Sequence, residues 1–389
     1  MEGGGEIFNF IKVWLSVFVC LSYCYAISKR VSKGLSRFLF VLPVVCLFLF
    51  LPLQLHTIHL GGTTAFFIAW LANFKLLLFA FGKGPLCNSD PSSISLPNFV
   101  ALACLPIKIQ QNPSPQLNGD YKENPIEKSK NTKTKSNPSP QMSHLNGQNK
   151  ENPISKKTKE GHITPLNYAI KGVLFAILLR AYNYSDYLNP NIILVLYCFH
   201  IYILLEIILA IVAALARVLL GMELEPQFNE PYLSTSLQDF WGKRWNLMVT
   251  NILRITVYNP TRHAGVTRVI IGHERAPLLA VFATFVVSGF MHELMFYYLG
   301  HMRPSWEVTW FFLLHGLCLV VEIVLKKAFL TYGWRLPRLI SGPLTIGFVM
   351  ITSFWLFFPQ FLQFKADDRA FGEYAAVGEF VKNLTHAFI

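Results

Sequence analysis

Residues 277–299 read PLLAVFATFVVSGFMHELMFYYL, a run with no Lys, Arg or Asp and a single Glu. At about 1.5 Å of rise per residue, a helix of this length crosses a hydrocarbon layer about 30 Å thick. Thr284, Ser288 and His292 recur at i, i+4 spacing, with Glu293 beside them, so one face carries a polar stripe. Ionisable groups inside hydrocarbon are costly, which makes the His292–Glu293 pair a candidate site. The plainer alternative is a packing stripe, in which Thr284 and Ser288 bond back to their own helix and His292 is merely satisfied.

Outward from this run, comparable stretches lie near 9–28, 35–55, 61–81, 165–182, 191–220, 306–325 and 339–362. Together they predict an all-α polytopic membrane protein of about eight transmembrane helices. Ile94–Ile109 is shorter and interrupted by Pro97 and Pro106, which suits an interfacial or re-entrant helix. The composition agrees, since 53% of the 389 residues are apolar and only 14% are charged, against roughly a quarter charged in soluble domains. Three regions follow: 1–107 with N-terminal spans, a polar insert at 108–161, and a second transmembrane region at 162–389 that carries the candidate catalytic pair.

The insert holds ten Lys, five acids and one aromatic residue, Tyr121. It contains a duplication, Asn112-Pro-Ser-Pro-Gln116 returning as Asn137-Pro-Ser-Pro-Gln141 and Lys122-Glu-Asn-Pro-Ile126 as Lys150-Glu-Asn-Pro-Ile154. Such a composition cannot bury enough apolar surface to order itself, so a disordered cytosolic loop without chemistry is expected. A net charge of +12 would suggest nucleic acid in a soluble protein. Here the basic residues alternate between the gaps separating spans, as positive-inside topology requires, and both termini are expected on the non-cytosolic side. Met1–Asn9 lacks a basic leader segment, so the first span reads as a retained signal-anchor. Seven scattered cysteines, without CxxC or Cys/His spacing, read as small buried hydrophobes with no metal site. His56 and His59 have the i, i+3 spacing of a metal pair but no adjacent carboxylate or Cys.

A second patterned element runs from Pro231 to Pro260. Ser234, Thr235 and Ser236 offer N-caps, and Leu237, Trp241, Trp245, Met248, Ile252 and Ile255 recur at helical spacing. Asp239, Lys243, Asn246 and Thr250 form the opposite stripe, with Asp239 and Lys243 spaced for an i, i+4 ion pair. An amphipathic interfacial helix without catalytic duty fits the same pattern. His315 and Glu322 share a face of the seventh span, although Glu322 can also pair with Lys326, while His200 and Glu206 do not share one. The chain has no HH dipeptide, HxxxxD, GxSxG or Walker A sequence, which removes several acyltransferase, desaturase, hydrolase and nucleotidase classes.

Asn229-Glu-Pro-Tyr232, Ser236-Leu-Gln-Asp-Phe-Trp241, Lys243-Arg-Trp-Asn246 and Ser288-Gly-Phe-Met-His-Glu293 resemble the plant wax synthase branch of the membrane-bound O-acyltransferases. Trp70-Leu-Ala-Asn-Phe-Lys75, Leu105-Pro-Ile-Lys108, Trp306-Glu-Val-Thr309 and Phe311-Phe-Leu-Leu-His-Gly316 extend the resemblance over almost the whole chain outside the insert, with a motif-rich segment at 225–312. The resemblance implies an acyl-CoA-dependent O-acyltransferase of the endoplasmic reticulum membrane, with no cofactor and with acyl-CoA as co-substrate. It places the catalytic role on His292 and, through a Trp-Asn element, a second polar role on Asn246.

On that reading His292 takes the hydroxyl proton of a lipid alcohol, and Glu293 or Ser288 fixes its tautomer. Asn246 hydrogen-bonds the thioester carbonyl, and Asp239 supports the Trp-Asn element. Lys243, Arg244 and Arg254 lie on the expected cytosolic side for the CoA phosphates, although positive-inside topology alone explains them equally well. His292 falls about fifteen residues, or ~22 Å, beyond the cytosolic end of its span, which implies a deep tunnel. The acceptor is expected to be a long-chain alcohol, with sterol or diacylglycerol as alternatives within the branch. From another class, a transporter would use His292, Glu293, His315 and Glu322 as a proton or ion pathway.

Overall fold

In the computed structural model the described residues are 2–87, 94–106, 165–221, 224, 226–330 and 336–388. Helices account for the architecture, and no strand ladder occurs among the described residues. In chain order they are α1 (Glu2–Arg30), α2 (Leu35–Phe50), α3 (Ile58–Ala65), α4 (Asn73–Ala80), α5 (Leu96–Cys104), α6 (Pro165–Ala181), α7 (Pro190–Leu220) and α8 (Leu237–Asp239). They continue as α9 (Leu247–Leu253), α10 (Asn259–His263), α11 (Gly265–Ile271), α12 (Ala276–Gly300), α13 (Glu307–Leu330), α14 (Arg338–Leu356), α15 (Phe358–Gln363) and α16 (Ala366–Phe388). Met1–Ile109 and Ile170–Ile389 form one body. The duplicated insert lies outside the described residues.

Seven described helical stretches are long and apolar enough to cross a membrane: Gly5–Arg30, Leu35–Gln54, Ile58–Ala80, Pro190–Leu220, Ala276–Gly300, Glu307–Phe329 and Arg338–Leu356. The fourth expected span appears as α6, a helix of 17 residues that falls just short of the others. It nevertheless packs antiparallel against α7. Lys171 pairs with Glu206, Phe175 rests on His200 with ring centroids 5.1 Å apart, and Tyr182 meets Tyr197 at 5.5 Å. This Lys171–Glu206 pair joins two helices, so no periodicity within either helix reveals it.

Helix ends gather on two rims. On one, Glu6 accepts hydrogen bonds from His56 N, Thr57 N and Thr57 Oγ1 at 2.8–2.9 Å, joining the start of α1 to the start of α3. Arg369 of α16 donates to the carbonyls of Leu299 and His56 there. On the opposite rim, Gly34 N bonds Ala80 O at 2.8 Å, and Lys75 Nζ bonds the last carbonyls of α5, Leu102 at 2.7 Å and Leu105 at 2.6 Å. The short Pro97-started helix expected near 94–109 is this α5, packed on α1 through Tyr25 and Phe99.

Two glycines let α12 and α13 approach closely. A Cβ at Gly289 would stand 3.3 Å from Thr309 Cα, and one at Gly316 only 2.7 Å from Phe285 Cβ. Around that seam Phe285, Phe296, Val308, Phe311 and Phe312 are buried together. Outward-facing apolar side chains, including Leu15, Ile177, Ile211, Leu344 and Trp355, remain exposed, as a lipid-facing belt must.

The segment 231–260 is not one continuous helix. Ser236 caps α8 as expected, its Oγ accepting from Asp239 N at 3.1 Å. The chain then widens into a π-helical turn, Phe240–Arg244, closed by Trp245 N to Phe240 O at 2.9 Å. Asn246 follows in the left-handed region at φ 42°, a conformation Asn tolerates, and starts α9. The wide turn also corrects the expected ion pair: Asp239 Oδ2 receives Arg244 Nε at 2.8 Å, an i, i+5 contact, and Lys243 is left exposed.

Candidate active site

His292 sits two-thirds of the way along α12, about 24 Å of helical rise from Ala276. Its ring is enclosed by aromatic groups contributed by three elements. Phe312 of α13 stacks on it with centroids 4.1 Å apart and an interplanar angle of 26°. Trp70 meets it edge-on at 4.9 Å and 86°, and Phe357 lies at 6.5 Å. Trp70 belongs to a π-helical stretch, Phe66–Ala72, between α3 and α4. Such widened turns occur often at functional sites because they displace one side chain from the α register.

The tautomer of His292 follows from its one short contact. Nδ1–H donates to the Ser288 carbonyl oxygen at 2.7 Å, with the Ser288 hydroxyl at 3.5 Å from the same nitrogen. Nε2 is therefore the unprotonated nitrogen, and no hydrogen bond engages it among the described residues. Of the two residues expected to orient the ring, Ser288 does so, chiefly through its backbone. Glu293 does not. Its buried carboxylate turns to the other side of α12, accepting Thr309 N at 3.0 Å and Gln360 Nε2 at 3.5 Å. Neighbours in an α-helix diverge by about 100°, so adjacency to His292 in sequence keeps Glu293 off the face that carries the ring. Thr284 bonds back to Val281 O at 2.6 Å, as the packing alternative anticipated.

Asn246 does not hydrogen-bond to His292 among the described residues. Its Oδ1 caps α9 by accepting Val249 N at 3.4 Å, while its amide nitrogen has no hydrogen-bond partner among the described residues. The helix it heads nevertheless packs toward both flanking elements, since Met248 clusters with Phe67 and Leu71, and Val249 with Val287. Asp239 and Arg244 act as struts of this region: Arg244 Nη1 also holds the carbonyls of Asn229 and Glu230 at 3.1 and 3.2 Å. Arg244 is thus committed to the protein, whereas Lys243 and Arg254 are exposed.

His315 and Glu322 do not form a pathway with His292. His315 is fully buried, with Trp241 Nε1 donating to its Nδ1 at 3.1 Å and its Nε2 donating to Thr352 Oγ1 at 2.8 Å. Glu322 caps the start of α8, accepting Leu237 N at 2.8 Å and Gln238 N at 3.2 Å, and pairs with Lys326 at 2.9 Å. His59 has a carboxylate partner that lies far away in sequence. Its Nδ1 meets Glu373 Oε2 at 2.6 Å, and Tyr374 OH bridges its Nε2 and that of His200, each at 2.9 Å. Among the described residues no group of three or more His, Cys, Asp and Glu is arranged to hold a metal.

The profile of the Membrane bound O-acyl transferase family matches residues 224–314, a stretch that contains both Asn246 and His292. Over 96% of its length the chain is 47% identical to acyl-CoA–sterol O-acyltransferase 1 of Arabidopsis thaliana, covering 96% of that protein. The chain belongs to the membrane-bound O-acyl transferase family. It is also 45% identical to the long-chain-alcohol O-fatty-acyltransferase of Simmondsia chinensis, covering 96% of this chain and 95% of that one. A probable long-chain-alcohol O-fatty-acyltransferase of Arabidopsis thaliana matches at 44% over 91% of this chain and 90% of its own length. An O-acyltransferase with a multi-pass helical body accounts for a half-buried imidazole in a membrane-length helix, and it displaces the transporter reading.

Proposed function

We propose that this O-acyltransferase uses acyl-CoA to esterify a long-chain fatty alcohol, giving a wax ester, in the endoplasmic reticulum membrane. The observation that carries the mechanism is the orientation of His292: Ser288 O holds the proton on Nδ1 and leaves Nε2 as the base inside an aromatic enclosure. The alcohol hydroxyl gives its proton to Nε2 as its oxygen attacks the thioester carbonyl carbon. The tetrahedral adduct then expels the CoA thiolate, which recovers the proton from the imidazolium. Proton and electron pairs balance with no acyl-enzyme and no cofactor, and acyl-CoA is a co-substrate. Asn246, whose amide nitrogen has no partner among the described residues, donates to the carbonyl oxygen, while Lys243 and Arg254 meet the CoA phosphates. The lipid character of both substrates suits a base this deep in an apolar body.

The sterol-named relative is as similar as the alcohol-named ones, so a sterol acceptor is the competing outcome. The test uses microsomes from yeast lacking its own neutral-lipid acyltransferases, expressing wild type or His292→Ala. Labelled acyl-CoA is supplied with hexadecanol, sterol or diacylglycerol in parallel. Wax ester formed by wild type and lost in an equally abundant variant is the expected result. Steryl ester in place of wax ester would reassign the acceptor, and undiminished ester from the variant would remove His292 as the base.

A further inference from the structure

The Trp70 indole is 2% exposed, and its enclosed Nε1–H has no hydrogen-bond partner among the described residues. Buried indole N–H groups ordinarily find an acceptor. Two part-buried Trp donors illustrate the rule, Trp241 Nε1 being bonded to His315 and Trp14 Nε1 to Thr64 Oγ1. The Trp70 indole, in a π-helical stretch that displaces it from the α register, meets the His292 ring, whose Nε2 is also unengaged among the described residues.

Resting on the acyltransferase reading above, we propose that Trp70 is a catalytic residue whose Nε1–H donates a hydrogen bond to the thioester carbonyl oxygen as it becomes an oxyanion. The ring centroids are 4.9 Å apart. Nε1 lies about 2 Å from the centre of the indole and Nε2 about 1 Å from that of the imidazole, so the two nitrogens are at most about 8 Å apart in any orientation. Two oxygens on one tetrahedral carbon are about 2.4 Å apart, and a hydrogen bond of about 2.8 Å from each spans that same distance. The separation is thus no larger than one tetrahedral centre can span, with Nε2 on the attacking oxygen and Nε1–H on the other. As the new C–O bond forms, the carbonyl π pair moves onto the oxygen that Trp70 faces. When that pair re-forms the carbonyl, the C–S bond breaks and the thiolate takes its proton from His292. Trp70 then supplies one of the donors that an oxyanion accepts.

The experiment compares full-length wild type, Trp70→Phe and the chain carrying 3-benzothienylalanine at position 70, which keeps the indole shape and replaces N–H by sulfur. Steady-state rates with acyl-CoA and alcohol are measured alongside binding of an S-alkyl-CoA thioether, which lacks the carbonyl oxygen. The expected result is a fall in kcat of about 10²–10³-fold in both variants, with KM and thioether binding within about threefold of wild type. Near-normal kcat in the benzothienyl variant would overturn the proposal, whatever Trp70→Phe does to folding. Loss of thioether binding and thermal stability in step with rate would also overturn it, making Trp70 a packing wall. An active wild type separates these results from failure of the acyltransferase reading, since a wild type that makes no ester overturns both.

Discussion

Replacing His315 by leucine separates a structural histidine from a catalytic one. Its ring is fully buried between Phe311, at 4.2 Å between centroids, and Phe348, at 5.1 Å, so leucine fills similar space. The substitution removes the Trp241 bond at 3.1 Å and the Thr352 bond at 2.8 Å. Thr352 keeps its own donation to Phe348 O at 2.7 Å, whereas Trp241 Nε1 loses its acceptor. Interhelical hydrogen bonds in membranes average about 0.6 kcal/mol and reach about 1.7, so two of them plus an orphaned indole donor give a loss of about 2–3 kcal/mol. At about 2–4 °C per kcal/mol, the melting temperature of the detergent-solubilised enzyme should fall by roughly 4–12 °C. Rate per folded molecule, from ester formation normalised to monodisperse protein, should stay within about threefold, because Nε2 of His315 is occupied by Thr352. Full stability with abolished turnover would refute this reasoning and put His315 in the chemistry.

Two further outcomes follow from local geometry. Asn246 sits at φ 42°, so Asn246→Gly preserves the backbone and sacrifices only a weak cap, a few tenths of a kcal/mol, whereas Asn246→Ala adds about 1–2 kcal/mol of left-handed strain. A fall in kcat shared by both variants, with a lower melting temperature in the alanine variant alone, is expected if the amide donates to the thioester; unchanged kcat in the glycine variant would reduce Asn246 to a cap. Burial by itself raises the Glu373 carboxyl, but hydrogen bonds from the His59 side chain and from the backbone N–H groups of His59 and Ile58 hold it below its ordinary value. A depressed acid binds fewer protons folded than unfolded, so its contribution is present above the unfolded value of about 4.3 and is lost as pH falls through the lower folded one. Melting temperature against pH should therefore drop on acidification below about 5, and Glu373→Gln should be less stable at neutral pH while flattening that acid limb; an identical limb in the variant would remove Glu373 as its source.

Much of this protein was legible without coordinates. Span length and hydropathy decide the helical class, because a backbone in hydrocarbon must satisfy its own polar groups. The i, i+4 stripe of Thr284, Ser288 and His292 located the imidazole, and local sequence gave the Ser236 cap and the Glu322–Lys326 pair, because these contacts lie within a helical turn. Tertiary structure decided the rest. Glu293 is next to His292 in sequence yet serves Thr309 and Gln360 on a different face, and Asp239 chooses Arg244 over Lys243 because a π turn changes the repeat. His59 finds Glu373, and Trp70 finds His292, across separations of more than two hundred residues that no helical period can encode. A sequence pattern reports which side chains share a face of one helix; which faces meet, and so which base gains an aromatic enclosure and an unpartnered donor, depends on how the helices pack at Gly289 and Gly316 and where the wide turns fall.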